Sequence, residues 1–129
     1  DLVTKKDSEN PVYYVQYAYA RLSSIIRKAG EIPGGFDENL LKDPAELELI
    51  RHLVFFPEIV SKIADNYQVQ TLPHYAIRLA DNFHKFYEKC KVLSKDKKKR
   101  KSRLALIQAT KIILAETLNL LGITAPEKM

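Results

Sequence analysis

Residues 10 to 21 read Asn10-Pro11-Val12-Tyr13-Tyr14-Val15-Gln16-Tyr17-Ala18-Tyr19-Ala20-Arg21. An Asn side chain can accept a hydrogen bond from the exposed N–H groups of a helix start. A proline next to it has no N–H whose partner would be lost there. At 100° per residue, Val15, Ala18, Leu22, Ile25 and Ala29 then fall on one apolar stripe. This predicts a long first helix within residues 10–30, ending at about Ala29, where Gly30 can adopt the left-handed geometry of a helix stop. A second stripe, well away from the first, carries Tyr13, Tyr17, Arg21, Ser24 and Lys28. Such a stripe mixes rings able to stack on bases with cations able to meet phosphates. From spacing alone the commoner outcome is tyrosines packed on neighbouring helices and cations in water.

Similar punctuation recurs downstream. Asp43-Pro44 opens a second helix expected to end before Pro57, and a short third helix follows over Glu58 to Asn66. Thr71-Leu72-Pro73 starts a fourth that runs to about Val92. A lysine-rich connector then leads to a last helix ending near Gly122. Residues 31–43 hold the only Gly-Gly pair and are expected to form a loop. The tail, residues 123–129, is too short to fold alone. With no competing strand pattern, the fold class is all-α: one domain over residues 1–129, a helical bundle of about five helices. A hydrophobic share of 46% suffices for a core.

Leu72, Ala76, Leu79, Phe83, Phe86 and Cys90 form the core stripe of the fourth helix, which makes Cys90 a small buried hydrophobe. Beside that stripe, Ile77, Ala80, His84, Tyr87 and Lys91 follow helical spacing, so an imidazole, a phenol ring and an ammonium project together. They could hold a flipped-out nucleotide; equally, Tyr87 could cap the core and His84 make an ordinary surface hydrogen bond. On the last helix, Leu104, Leu106, Ile107, Ile113, Leu114, Leu118, Leu120 and Leu121 cover nearly half the circumference, so it is expected to be the most buried element.

The formal charge of +5 is unevenly distributed: +2 over residues 1–30, −5 over 31–58 and +8 over 59–129. An anion-binding surface should therefore draw on the two ends of the chain. Eight of the twenty-one cations lie between Lys91 and Arg103, with Asp96 the only acid among them. Such runs usually form solvated connectors.

Several chemistries lack support. Gly34-Gly35 has neither the lysine nor the glycine spacing of a phosphate-cradling loop. His52, His74 and His84 are too scattered, beside a single cysteine, for a zinc site. His84 and Cys90 point in different directions on one helix, which excludes a dyad there. Glu46 and Glu48 read as ordinary surface charge. No apolar run spans a bilayer and no secretion signal opens the chain, so a soluble, cytoplasmic domain is expected. The first residue is not Met, which points to a piece of a longer protein.

The wording of the chain adds a family resemblance. The stretch Asn10 to Arg21 resembles the segment that follows the catalytic domain in arginyl-tRNA synthetases. His74-Tyr75, Leu79-Ala80, Phe83, Phe86-Tyr87, Cys90 and Val92 are similar to the anticodon-binding portion of that family. Arg103-Leu104-Ala105-Leu106 and the ending Leu120 to Met129 complete the match over nearly the whole chain. The resemblance implies an all-α anticodon-binding domain of the DALR type, with residues 1–9 a leader from a catalytic domain. That domain, in the parent chain, would use ATP and Mg to attach arginine to its tRNA. The fragment itself would have no cofactor, no metal and no catalytic residue.

By the same resemblance, Tyr87 matches a position that contacts an anticodon base. Met129 matches a C-terminus beside the anticodon, and Tyr17 and Arg21 match the helix bordering that cleft. Tyr13, His84 and Lys91 join the candidate tRNA-binding set from helical spacing. The implied partners are the anticodon loop of arginine tRNA and the parent's catalytic domain, with no membrane. The acidic middle should face away from RNA or toward the missing domains. One departure is the run Lys95-Asp96-Lys97-Lys98-Lys99-Arg100-Lys101, more basic than the family's variable loop; it either adds phosphate contacts or reflects the composition of the proteome. The competing class is a non-catalytic helical domain whose aromatic faces bind protein.

Overall fold

The computed structural model describes residues 10–30, 37–66 and 70–129. The expected leader, residues 1–9, and the Gly34-Gly35 part of the expected loop lie outside them.

Five α-helices and one 3-10 turn make up the described residues: α1 (Pro11–Ala29), the turn Glu38–Leu40, α2 (Pro44–Val54), α3 (Phe56–Asn66), α4 (Thr71–Lys89) and α5 (Lys97–Leu120). At the start of α1 the Tyr13 N–H donates to the Asn10 side chain at 3.2 Å. Its end is set by Gly30, at φ 67°, where a side chain would be strained. A reciprocal capping box opens α2: the Ala45 N–H donates to the Asp43 carboxylate at 2.9 Å and the Asp43 N–H to Glu46 at 3.0 Å.

Three side-chain meetings fix the direction of α4 against α1. Tyr14 donates its hydroxyl hydrogen to Asp81, Tyr17 stacks on His84, and Arg21 lies over Tyr87, so the two helices run parallel. α5 runs the other way, since Arg100 reaches the Ala29 carbonyl at the end of α1 and Lys111 sits over Tyr19 further back. The core fills the space among these three helices. Leu22, Leu79, Phe83, Phe86, Ile107, Leu114 and Leu118 are wholly buried, as the α1 and α4 stripes require. α2 covers α4 and α5 from the flank, and α3 packs on α4 and α2. Tyr75 ties α2 down, donating its hydroxyl hydrogen to the His52 carbonyl at 2.6 Å near the end of that helix.

Several boundaries differ from the expected ones. α3 starts at Phe56, so Pro57 lies in its first turn, where it forfeits no intrahelical bond. α4 stops at Lys89 and not near Val92, because Cys90 takes extended geometry while its N–H still reaches Phe86. The lysine run is not a connector: Lys97–Lys101 forms the opening turns of α5, with Asp96 as cap, accepting from the Lys98 and Lys99 N–H groups. Nor is α5 the most buried element. It buries one stripe, as α1 and α4 do, and Leu120 is 51% exposed where the helix runs past the core.

Glu46 departs most from expectation. It is fully buried and receives Arg103 Nε at 2.8 Å, while Arg103 Nη1 donates to the Lys91 carbonyl at 2.8 Å. A buried carboxylate persists only with such partners. Cys90 is buried as expected, and burial together with Glu46 and Asp43 raises its thiol pKa to about 11. No helix of the described residues is long and apolar enough to cross a membrane.

Candidate nucleic-acid interface

The parallel pairing of α1 and α4 turns two separate stripes into one surface. Tyr13 stacks on Tyr17 at 6.5 Å between ring centres, Tyr17 on His84 at 6.3 Å, and His84 lies 5.0 Å from Phe83. Phe83 in turn stacks on Tyr87 at 5.9 Å, and the Arg21 guanidinium lies 4.9 Å from the Tyr87 ring centre. The aromatic series thus begins at the outer end of α1, passes through the half-buried imidazole and ends under a cation. His84 has its pKa lowered, first by burial and then by the charge of Arg21, with Asp81 and Glu88 opposing. At neutral pH it is therefore an uncharged packing and hydrogen-bonding group.

Beyond Tyr87 and Arg21 the surface opens into a cleft of about 430 Å³, lined by Tyr17, Ala20, Arg21, Ser24, Ile25, Arg27, Lys28, Tyr87, Lys128 and Met129. Its lining offers the Tyr87 ring and four cationic side chains with no acidic side chain among them, Arg27 being paired with Glu127 at 3.9 Å just outside it. Neither α2 nor α3 contributes a residue, so the acids of the middle segment stay off this surface.

Met129 reaches the cleft because the tail is strapped along α1. At the end of α5, Gly122 (φ 74°) reverses the chain in a Schellman arrangement: the Ile123 N–H donates to Leu118 at 2.9 Å and the Gly122 N–H to Asn119 at 3.0 Å. Gln16 then donates to the Thr124 carbonyl at 3.1 Å, the Tyr19 hydroxyl to Glu127 at 3.0 Å, and Arg27 to the Glu127 carbonyl at 3.3 Å. Lys111 completes the clamp, 3.5 Å from the Glu127 carboxylate. Burial works to raise the Glu127 pKa, yet the Tyr19 hydroxyl and Lys111 together bring it below the ordinary value. Tyr19 is shifted up by burial and by the carboxylate it faces.

Of the candidate residues, Tyr17, Arg21, Tyr87 and Met129 meet around one cleft. Tyr13 and His84 adjoin it through ring contacts with Tyr17. Lys91 does not line it, since α4 ends before that position and the helical spacing that grouped Lys91 with Tyr87 no longer applies. Ser24 and Lys28 belong to the stripe already noted on α1, whereas Arg27 and Lys128 become part of the lining only through the path of the tail. At the opposite end of α1 an apolar depression of about 160 Å³, with Pro11, Val12, Pro73 and Leu121 among its lining residues, carries none of these groups.

Residues 15–129 match the model of the DALR anticodon binding domain. The chain belongs to that family. Among curated relatives, the arginine–tRNA ligase of Moorella thermoacetica is 46% identical over 135 aligned residues, taking in 100% of this chain and 24% of that protein. The arginine–tRNA ligase of Symbiobacterium thermophilum is 44% identical with the same coverage. The arginyl-tRNA synthetase of Thermus thermophilus superposes with a TM-score of 0.81 at 38% identity, over 90% of this chain and 21% of that one. That of Plasmodium falciparum gives 0.79 at 36% identity, with the same coverage. The DALR chain therefore spans about a quarter of the length of the relatives it matches, and its fold is that of the matched part of the solved structures.

Proposed function

We propose that this DALR domain docks the anticodon loop of arginine tRNA as the recognition module of a cytoplasmic arginine–tRNA ligase. A catalytic domain elsewhere in the parent protein performs the ATP- and Mg-dependent transfer of arginine, and the domain alone is inactive. The observation that carries this reading is the cleft itself. Tyr87 presents a ring beneath the Arg21 guanidinium, and the strapped tail delivers Met129 to the same opening. Single-stranded loops expose base faces and edges, which stacking and a few hydrogen bonds can read. Tyr87 and Tyr17 offer the faces; Arg21, Ser24 and main-chain groups of Lys128 and Met129 offer polar contacts. Arg27, Lys28 and Lys128 suit the neighbouring phosphates.

The test is equilibrium binding of an arginine tRNA transcript and of the same transcript with an altered anticodon. Tyr87→Ala is expected to weaken the first by roughly 1 to 3 kcal/mol, the range for a lost base–ring stack, and to narrow the gap between the two. Equal affinity of the two transcripts for the unaltered domain would remove the specificity claim. Absence of RNA binding would favour the competing reading of a helical protein-interaction domain.

A further inference from the structure

The end of the bundle where α1 and α4 stop and α5 begins carries a charge pattern that folding alone disfavours. Lys97, Lys98, Lys99, Arg100 and Lys101 are the first five residues of α5, and no acid occupies its first turn. A helix N-terminus carries partial positive charge, so cations placed there destabilise it; within α5 itself only the Asp96 cap opposes them. Lys97, Lys98 and Lys101 point outward within about a third of the helix circumference, are exposed, and form no ion pair among the described residues. Arg100 is engaged differently. Its side chain donates to the Ala29 carbonyl at 3.3 Å, which pins the start of α5 to the end of α1. Ala29 directly follows Lys28, which lines the cleft, so the start of α5 and its exposed lysines stand at the same end of the bundle as Arg27 and Lys28.

We infer that Lys97, Lys98 and Lys101 form a second, sequence-independent contact surface for the phosphodiester backbone of the RNA held in the cleft. The inference rests on the RNA-docking reading and adds a division of labour to it. The cleft discriminates bases, and the start of α5 supplies affinity through released counterions. A bound polyanion would also relieve the repulsion stored in that first turn. Phosphodiester backbone fits better than a planar anionic surface because the lysines share one end of the bundle with a cleft that carries ring and polar groups.

The experiment compares the 129-residue chain with a K97Q/K98Q/K101Q variant and a K97R/K98R/K101R variant. The probes are the anticodon stem-loop of arginine tRNA and an anticodon-swapped stem-loop, titrated over about 50 to 200 mM salt. If all three lysines meet phosphates, the glutamine variant should lower the slope of log affinity against log salt by about 2 to 3 units, at roughly 0.7 to 0.9 per contact. It should weaken both stem-loops by the same factor, with helix content kept and the thermal midpoint equal or higher. The arginine variant should retain the parental slope. An unchanged slope in the glutamine variant, while Tyr87→Ala and the anticodon swap still weaken binding, overturns the inference and leaves the docking reading intact. Indifference to Tyr87→Ala and to the swap, with the slope still reduced, instead removes the docking reading. Loss of binding to phosphatidylserine vesicles alone, with RNA binding untouched, would overturn the inference in favour of a membrane surface.

Discussion

Removing the Glu46 side chain should be among the most damaging single changes available in the domain, although Glu46 touches no part of the proposed interface. Glu46→Ala deletes one arm of the α2 capping box and leaves Arg103 with only the Lys91 carbonyl among its assigned partners. Breaking a buried ion pair by removing one partner costs about 3 to 5 kcal/mol. Arg103 keeps 12% of its side chain exposed and one hydrogen bond, which argues for the lower end, about 3 kcal/mol, including the weakened cap. At this chain length a kilocalorie corresponds to roughly 3 to 5 °C, so the thermal midpoint should fall by about 10 °C. Glu46→Gln preserves an acceptor for the Asp43 N–H and should lose about half as much. The double variant E46A/R103M should be less destabilised than the sum of its parts by about 1 to 3 kcal/mol, since it leaves no orphaned charge. Urea and thermal unfolding of the parent, E46A, E46Q, R103M and the double variant measure this. A midpoint drop under about 3 °C for Glu46→Ala, or simple additivity in the double variant, would refute the claim that the pair is buried and mutually dependent.

Cys90, held at a pKa of about 11, should resist thiol reagents at pH 8, where only about one thiol in a thousand is ionised; rapid labelling without denaturant would contradict its burial. Because the folded state lowers the His84 pKa, the unfolded chain takes up the proton first, so stability should fall as pH drops below about 6.5. A His84→Gln variant should show a shallower acid dependence of its thermal midpoint than the parent. Glu127→Gln and Tyr19→Phe should each loosen the tail, weakening RNA binding about fivefold, the scale of one hydrogen bond near 1 kcal/mol, while shifting the thermal midpoint little because the Glu127 carboxylate at which the strap is held is largely exposed. The Glu127 pKa is depressed, so the strap is intact above the ordinary carboxylate range and should release only as pH falls below about 4.5. Loss of binding already between pH 7 and 5 would point to some other group.

What could be read from the sequence is what local chemistry fixes. Asn10-Pro11, Asp43-Pro44 and Gly30 act within a few residues of themselves, and the helices start and stop there as expected. Apolar spacing placed the buried faces of α1 and α4 for the same reason. The start of α5 was obscured because five successive cations are characteristic of solvated chain, and the Asp96 cap that overrides them is a single residue. Glu46 looked like surface charge because its partner Arg103 lies 57 residues away. Leu120 looked like core because hydropathy does not record where a helix outruns its neighbours.

At the interface, each helix announced its own stripe, Tyr87 included, and the base-contacting role of Tyr87 and the place of Met129 came from the family wording. That Arg21 lies over Tyr87, and Tyr17 against His84, depends on the parallel register of α1 and α4, which no periodicity within one helix contains. The strap depends on hydrogen bonds spanning 100 to 108 residues.

The same register explains why the cleft can be cationic without cost to the fold while the start of α5 cannot. α1 and α4 run parallel, so their C-termini, the negative ends of their dipoles, lie together at one end of the bundle. Arg27 and Lys28 in the last turn of α1, and Lys89 in the last turn of α4, therefore stabilise the helices that carry them. The antiparallel α5 brings a positive end to the same place, and its lysines gain no such compensation from their own helix. Favourable dipoles suffice to account for the first group of cations. The second group has no such account within its own helix, which is why charge neutralisation at Lys97, Lys98 and Lys101 separates a structural role from a binding one, and the same change at Arg27 or Lys28 would not.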